Sequence, residues 1–355
     1  MKVIEFGSEF DWDSNLPFQV QENKEYFDTR GLGKYRSGRD ALKAIAKFYQ
    51  NQTKTVLLPA LCCESMVSPF VMNGYKPIFY KMNSDYTANV DDIETKLEQN
   101  CLLLYMPYFG VEPIDASFLK RWKKLFGIIC LEDRTQNALH KKGNVSFVAD
   151  ITISSIRKWL AIPDGGLLWG REDFAKDILT EVSFANIREK AMKQKSLYLS
   201  DGAEEIKVGY RNMLQLASET LDKNSDAYVI SPQSEKILMQ IDFEKILSKR
   251  QENVIALQSL LDTAVQQGKI AYITHKPEES TLYFPILVKN RDVLQKKLAE
   301  QKIYCPVIWP IPFEAQGICE VAEYTAKHML ALPCDQRYGV SDMEYIANAL
   351  NALLD

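Results

Sequence analysis

From about residue 35 to residue 170 the sequence alternates between short apolar runs and segments in which apolar residues recur every three or four positions. The runs of strand length are TVLLP, PIFYKM, CLLLYMPY, GIICLED, FVADITIS and GLLWG. Amphipathic segments such as ALKAIAKFY and SFLKRWKKLF have the periodicity of helices. Because strands that alternate with helices form parallel sheets covered on both faces, the pattern predicts a three-layer α/β fold with a mostly parallel sheet.

The pattern changes after about residue 171. Residues 171–225 are charged and helical, with a polar break at LYLSDGAEE, and a long amphipathic helical region then begins at Ser231 and Pro232. A strand, STLYFPILVKN, and two helical segments, RDVLQKKLAEQ and DMEYIANALNALL, complete the chain. We therefore predict a large α/β unit at residues 1–225, with residues 171–225 as a helical insert, and a smaller C-terminal α+β unit at residues 226–355.

Composition argues against several classes of partner. The net charge is −4 and no basic run is present, which disfavours nucleic acid. The first residues, MKVIEFGSEFDWD, carry acids where a signal peptide needs an apolar run, and no apolar stretch is long enough to span a bilayer. The seven cysteines form no CxxC pair, and neither they nor the three histidines have metal-ligand spacing. We expect a cytoplasmic protein with free thiols, no metal and no membrane or nucleic-acid partner.

Two polar segments lie where an α/β fold binds ligands. The segment YRSGRDAL begins a helix with Ser37, Gly38 and Arg39 in its first turn, a position suited to a phosphate because the first N–H groups of a helix are unpaired. The alternative is an ordinary helix cap, since Ser37 and Asp40 have a capping-box-like spacing. Asp133 directly follows the run GIICLE, so its carboxylate faces the ligand crevice, caps a helix or is a solvated acid in a loop.

Lys158 is the third candidate. It stands at the edge of the apolar run WLAI, just before a Pro-Asp-Gly-Gly turn. A lysine there can pair with an acid or extend to solvent, but an amine among apolar neighbours has a lowered pKa and becomes a nucleophile towards aldehydes. A phosphate site, an acid and a buried lysine are together the anchors of pyridoxal 5′-phosphate, so we expect this cofactor.

The same motifs resemble those of the DegT/StrS-type nucleotide-sugar aminotransferases, a group of fold-type I pyridoxal-phosphate enzymes, over nearly the whole chain. The similar segments, in chain order, are YRSGRDALKAI, VLLPALCCESMVSPFVMNGYKPIFYKM, YMPYFG, LEDRTQNAL, ADITISSIRKWLAIPDGGLLW and ALPCDQRYGVSDMEYIANAL. By this resemblance Lys158 bonds covalently to the cofactor, Asp133 contacts the pyridine nitrogen and Gln136 lies near the ring hydroxyl. These assignments make Lys158 and Asp133 the predicted catalytic residues.

The chain also departs from the family pattern. The family's serine, five residues before the lysine, is Ile153 here, so Ser154 or Ser155 is expected at the phosphate instead. Arg39 stands in place of a threonine at the helix start, and Cys63 falls where an aromatic residue commonly stacks on the cofactor ring.

The substrate end is predicted from weaker similarities. The segment GYRNMLQLA resembles a family loop that reaches the partner subunit's site, which makes Tyr210, Arg211 and Asn212 candidates for that contact. Trp309, in CPVIWPIP, either lines the substrate end or packs in the core or an interface.

The resemblance implies a homodimer that moves an amino group from glutamate to a keto sugar nucleotide in amino-sugar or surface-polysaccharide biosynthesis. A pyridoxal-phosphate transaminase of a non-sugar substrate is an alternative, with Arg337 as a candidate carboxylate clamp. A non-catalytic binding or regulatory protein of the same fold is another. Sugar dehydratases related to this family replace the lysine by histidine, and Lys158 argues against that branch.

Overall fold

A computed structural model describes most of the chain, namely residues 3–12, 32–138, 148–170, 174, 178–273 and 281–354. Its larger sheet has seven strands in the order β1-β7-β6-β5-β4-β2-β3. Their bounds are β1 Leu32–Tyr35, β2 Thr55–Pro59, β3 Lys76–Tyr80, β4 Leu102–Tyr105, β5 Ile129–Asp133, β6 Ile151–Ser154 and β7 Gly166–Trp169. Strands β2 to β6 pair in parallel, whereas β7 is antiparallel to both β6 and β1. The predicted mostly parallel sheet is confirmed.

Both faces of this sheet are covered. The helices connecting its strands are α1 Gly38–Tyr49, α2 Glu64–Val71, α3 Val90–Glu94 and α4 Ala116–Phe126. Alternate side chains of β4 enter different apolar clusters: Leu102 and Leu104 pack with residues of α1 and α2, while Leu103 packs with residues of α3 and α4. Since successive residues of a strand point to opposite faces, this separation shows three layers, as predicted.

The C-terminal half of the chain contains a three-stranded antiparallel sheet. Its strands, in the order β10-β9-β8, are β8 Ile270–Tyr272, β9 Phe284–Val288 and β10 Met329–Leu332. The remaining helices are α5 Ser183–Asp201, α6 Glu204–Thr220, α7 Pro232–Leu238, α8 Phe243–Gln266, α9 Arg291–Glu300, α10 Glu320–His328 and α11 Val340–Asn351. The predicted smaller α+β unit is therefore confirmed. None of the described helices combines the length and apolarity that crossing a bilayer requires.

The sequence prediction was wrong at several elements. The long helical region after Ser231 is two helices, because Asp242 caps α8 by accepting the N–H of Lys245 at 3.0 Å. Strands β1, β8 and β10 and helix α10 were not predicted. Strand β1 is only four residues long, and its LGKY sequence shows little alternation, so pairing with β7 rather than local pattern makes it a strand.

The N-terminal segment, residues 3–12, packs partly against the small sheet's unit. Phe6 is buried in the apolar cluster of that unit, and its backbone pairs with Lys302 and Tyr304. Arg337 donates hydrogen bonds to the carbonyl oxygens of Ser8 and Glu9. These contacts place residues 7–10 along one wall of a cavity of about 670 Å³.

Gly166, the first residue of β7, lies directly against the start of α1. A Cβ atom at this position would be 2.2 Å from the carbonyl carbon of Ser37 and 2.6 Å from the amide nitrogen of Gly38. Since backbone cannot move aside as a flexible side chain can, glycine is required for this close approach. The contact brings the first turn of α1 to the edge of the sheet where β6 ends.

We expect Gly166→Ala to lower the free energy of unfolding by about 1–3 kcal/mol, because the added methyl group overlaps the backbone of α1. Chemical denaturation followed by circular dichroism measures this change. Gly209→Ala, inside α6, is the matched control, since the nearest atom there is a Gln194 side-chain oxygen at 3.2 Å. The control should be neutral or stabilising by up to about 1 kcal/mol. Equal stability of the Gly166→Ala variant and the wild type would contradict the close packing.

Candidate active site

A small cavity lies at the carboxyl ends of β5 and β6. It is lined by eight of the residues predicted from sequence: Ser37, Gly38, Arg39, Cys63, Asp133, Ser155, Lys158 and Trp309. A larger cavity of about 670 Å³ shares Lys158 and Trp309 and adds Gln136. Ligands of open α/β sheets bind at this edge. The fold thus brings together side chains that are up to 272 positions apart in the sequence, from Ser37 to Trp309.

Asp133 is the last residue of β5 and is 6% exposed. One of its oxygens, Oδ1, accepts the backbone N–H of Thr135 at 2.8 Å. Burial raises the pKa of this carboxyl, while the hydrogen bonds from Thr135 and the nearby Lys158 ammonium oppose the rise. A buried acid at this position favours a cationic partner, such as a protonated ring nitrogen, over water.

Lys158 closes a short 3₁₀ turn, Ile156–Lys158, that follows β6. Burial lowers the pKa of its amine, as does the neighbouring Arg157 guanidinium, whereas Cys63 and Asp133 act in the opposite direction. A lowered pKa increases the fraction of neutral amine, which is the form that attacks an aldehyde.

Thr135 connects the acid to the lysine-bearing segment. Its side-chain oxygen accepts the N–H of Ser155 at 3.0 Å, and its carbonyl oxygen accepts the indole N–H of Trp159 at 2.8 Å. Together with its contact to Asp133, these bonds set the distance between β5 and the turn that carries Lys158.

The first turn of α1 forms the opposite wall. The Ser37 hydroxyl accepts the N–H of Asp40 at 3.1 Å and donates to the Asp40 carboxylate at 2.5 Å, so it caps the helix. The segment can therefore be both a helix cap and a phosphate site, the two interpretations made from sequence. Capping uses the Ser37 hydroxyl, whereas the first amides of a helix have no partners within the helix. Arg39 forms an ion pair with Asp222.

The two serines before Lys158 differ in position. Ser155 lines the small cavity, and a Cβ at Gly38 would lie 3.2 Å from the Ser155 Cβ. Ser154 is completely buried, lines neither cavity, and its hydroxyl has no partner among the described residues. Since neighbouring strand residues face opposite sides, only Ser155 is placed to meet a ligand.

Three further predicted residues lie at the edges of the site. Cys63 is partly buried, and its thiol is 2.9 Å from the Ser65 hydroxyl. Gln136 is buried, and its Oε1 atom has no partner among the described residues. Trp309 lines both cavities and also packs against the core, with its ring centroid 6.5 Å from that of Tyr108. Both sequence interpretations of Trp309 are compatible with this position.

The segment predicted to reach a partner subunit is helical. Tyr210, Arg211 and Asn212 belong to α6; Tyr210 is buried beside Tyr198, and the other two are exposed. None of the three lines the cavities around Lys158. Their role towards a partner subunit stays a prediction.

Sequence reasoning missed Arg157, which lines both cavities. The signal was present, because this cation directly precedes Lys158 in the sequence. It also missed Arg250, and it proposed Arg337 as a carboxylate clamp. Arg250 donates to the carbonyls of Thr281, Leu282 and Trp159. Arg337 binds Asp335 through two nitrogens and holds the N-terminal segment. Both guanidinium groups are therefore occupied by protein.

The site fits pyridoxal phosphate. A buried acid, a lysine of lowered pKa and the first turn of a helix face one cavity, and the orphaned Gln136 oxygen needs a donor such as a ring hydroxyl. Gly38 lets the first turn of α1 approach Ser155 closely, since a Cβ at this position would lie 3.2 Å from the Ser155 Cβ, and the first N–H groups of a helix can bind an anion.

Comparisons with known proteins agree with this arrangement. The sequence model of the DegT/DnrJ/EryC1/StrS aminotransferase family matches residues 24–351. No curated protein matches the chain in sequence.

Solved structures share the fold at low sequence identity. The chain is similar to a putative sugar aminotransferase, Spr1654 from Streptococcus pneumoniae in its PLP form, with a TM-score of 0.65, 15% identity and all of both chains covered. It is also similar to PseC from Helicobacter pylori, an aminotransferase of pseudoaminic acid biosynthesis, with a TM-score of 0.67, 13% identity and 99% of each chain covered. NtdA from Bacillus subtilis, with bound cofactor PMP, has a TM-score of 0.64 and 15% identity over 91% of this chain and 73% of its own.

The family match spans nearly the whole sequence and includes every residue around the two cavities except those of the N-terminal segment. The chain therefore belongs to the DegT/DnrJ/EryC1/StrS aminotransferase family and is a pyridoxal-phosphate-dependent aminotransferase.

Proposed function

We propose that this aminotransferase moves an amino group from glutamate to a keto group on a nucleotide-linked sugar, in amino-sugar or surface-polysaccharide biosynthesis. The observation that carries the proposal is the joint placement of Lys158 and Asp133 on one cavity, which shares Lys158 and Trp309 with a second cavity of about 670 Å³. A cavity of that volume accommodates a large ligand.

Lys158 and Asp133 have separate roles in this proposal. When bound, pyridoxal phosphate supplies an aldehyde and a ring that accepts electrons. Lys158 binds that aldehyde through Nζ and, once the amino donor has displaced it, uses the same Nζ atom to remove and return a proton. The Asp133 carboxylate holds a proton on the ring nitrogen.

The occupied guanidinium groups favour a sugar over an amino acid as the acceptor. Arg250 and Arg337 line the large cavity, but backbone carbonyls and Asp335 already bind them. An amino-acid transaminase typically needs a free arginine for the α-carboxylate. Within the described part of the chain, Arg157 is the arginine of this cavity without such a partner, and it also lines the small cavity beside Ser37 and Gly38.

The enzyme is further proposed to act as a homodimer. Arg211 and Asn212 are exposed on α6 and lie away from the cavities of their own chain. Exposed polar residues at this position are available to a partner subunit's site, as the resemblance to the family implies.

Lys158→Ala should abolish the visible absorbance band that forms with pyridoxal phosphate and is removed by borohydride, because the variant lacks the amine that bonds to the cofactor. Lys43→Met is the matched control. Lys43 is a buried lysine whose pKa is lowered by burial, as that of Lys158 is, but its amine donates to the carbonyl of Leu221. The control should keep the band, and peptide mapping of the reduced wild type should find the modification at Lys158. A band that persists in Lys158→Ala would overturn the assignment.

Asp133→Asn should keep the covalent attachment but slow the half-reaction with glutamate by at least about 100-fold, because a neutral amide does not hold the ring nitrogen in its protonated state. Single-turnover absorbance measures the rate. Asp150→Asn provides a comparison, since the Asp150 carboxylate binds Lys123 and a backbone amide of β5 rather than facing the cavity. A rate for Asp133→Asn within threefold of the wild-type rate would refute the role of this carboxylate.

The acceptor is tested by regeneration of the aldehyde form. Protein first converted by glutamate and freed of 2-oxoglutarate is mixed with nucleotide-linked keto sugars or with 2-oxo acids such as pyruvate. We expect at least one keto sugar nucleotide to restore the original spectrum, and pyruvate to leave it unchanged. Restoration by 2-oxo acids alone would favour the transaminase of a non-sugar substrate. If glutamate caused no spectral change in the wild type, the result would favour the alternative of a non-catalytic binding protein.

A further inference from the structure

Arg157 has no role in the reaction proposed for Lys158 and Asp133. It directly precedes Lys158 and lines both the small cavity, with Ser37, Gly38 and Ser155, and the large one. Its side chain makes no hydrogen bond or ion pair with any described residue, and its Nε atom is buried without a partner.

The surroundings of Arg157 are rich in positive charge. Burial, together with the nearby Arg188 and Arg39 guanidinium groups, lowers the pKa of the Arg157 guanidinium to about 10, although Glu9 and Asp40 oppose the shift. Those two acids already have partners: Glu9 binds Arg188 at 2.9 Å, and Asp40 binds Arg36 at 2.8 Å. Arg157 is partly buried. A cation that is partly withdrawn from water without a committed counter-charge is unfavourable, and an anionic ligand would neutralise it.

Two other groups on this wall already have protein partners. Arg39 forms an ion pair with Asp222, although its Nε and Nη1 atoms make no hydrogen bond with a described residue, and the Ser37 hydroxyl is used within the helix cap. Ile153, which stands where the resemblance places a phosphate-binding serine, is buried in the apolar core. Among the described residues of the small cavity, the first-turn amides of α1, Ser155 and Arg157 can bind a phosphate, and Arg157 is the arginine among them that forms no ion pair with a described residue.

We propose that Arg157 binds the phosphate group of pyridoxal 5′-phosphate, opposite the first turn of α1, and takes over the anchoring that a serine at position 153 would otherwise provide. The assignment rests on the proposed role of Lys158, because the ring must lie between Lys158 and Asp133 for its phosphate to reach this wall. Arg157 is a cofactor-binding residue in this proposal and takes no part in proton transfer.

Comparison of two cofactor forms isolates the phosphate contact. Dissociation constants of pyridoxal phosphate and of pyridoxal, which lacks the phosphate, are measured by quenching of tryptophan fluorescence for wild type, Arg157→Gln and Arg157→Lys. Arg121→Gln is the matched control for the loss of one arginine. Arg121 lies half-exposed on α4, where it pairs with Glu94. Circular dichroism and thermal unfolding establish that each variant is folded.

Arg157→Gln should weaken pyridoxal phosphate binding by about 10- to 100-fold, as expected for loss of a charge-assisted hydrogen bond, and leave pyridoxal binding within about twofold. Arg157→Lys should recover part of the loss, since it keeps the charge but not the planar fork. Arg121→Gln should bind both forms as the wild type does.

Three results would overturn the proposal. Equal weakening of both cofactor forms would show a structural role for Arg157. Unchanged pyridoxal phosphate binding, combined with a slower half-reaction with glutamate, would show that Arg157 binds the carboxylate of the amino donor. Unchanged binding and an unchanged half-reaction would show that it binds neither. Failure of the wild type itself to bind pyridoxal phosphate would instead refute the proposed function, which separates the two hypotheses.

Discussion

Backbone packing between β7 and the first turn of α1 sets the geometry of the site. The two segments approach so closely at Gly166 that no side chain fits between them. This approach is possible because β7 runs antiparallel to β6 and returns past the turn that carries Lys158. The helix start, Ser155 and the lysine therefore share one small cavity. This contact therefore keeps the anion-binding end of the helix close to a group bound to the lysine.

Hydrogen bonds made by Thr135 fix the position of the acid relative to the segment that carries Lys158. They connect the carboxylate at the end of β5 to the backbone of Ser155 and to the indole of Trp159. Parallel strands end at the same edge of the sheet, so neighbouring strand ends are already close. The Thr135 contacts convert that proximity into a fixed spacing between an acid and an amine. Such pre-organisation is what a reaction needs if its charged groups are not to rearrange at each step.

Charge distribution divides the site into two regions. Around the large cavity, guanidinium groups serve the protein itself: Arg337 and Arg188 hold the N-terminal segment through Ser8 and Glu9, and Arg250 joins backbone carbonyls. Arg157, which lines both cavities, has no such partner among the residues that the structure describes. Neither the count of arginines near a ligand site nor their positions in the sequence therefore shows which of them bind the ligand. Their hydrogen-bond partners decide which ones remain available for a ligand.

Local sequence was enough to predict the layered fold and the order of most of its elements, because hydrophobic periodicity and residues at strand ends are local properties. Lys158, Asp133 and the helix start at Ser37 were predicted as cofactor ligands in the same way, and the structure places all three on one small cavity. Strand β1, the choice between Ser154 and Ser155, the occupied state of Arg337 and the free state of Arg157 were decided only by the tertiary structure. Each of these depends on contacts that local sequence does not specify. Strand β1 forms by pairing with β7, and Ser155 lies against Gly38. Arg337 is bound by Asp335 and by the carbonyl oxygens of Ser8 and Glu9. Local sequence specifies which groups a residue can bind, and long-range packing decides which of those groups are within reach.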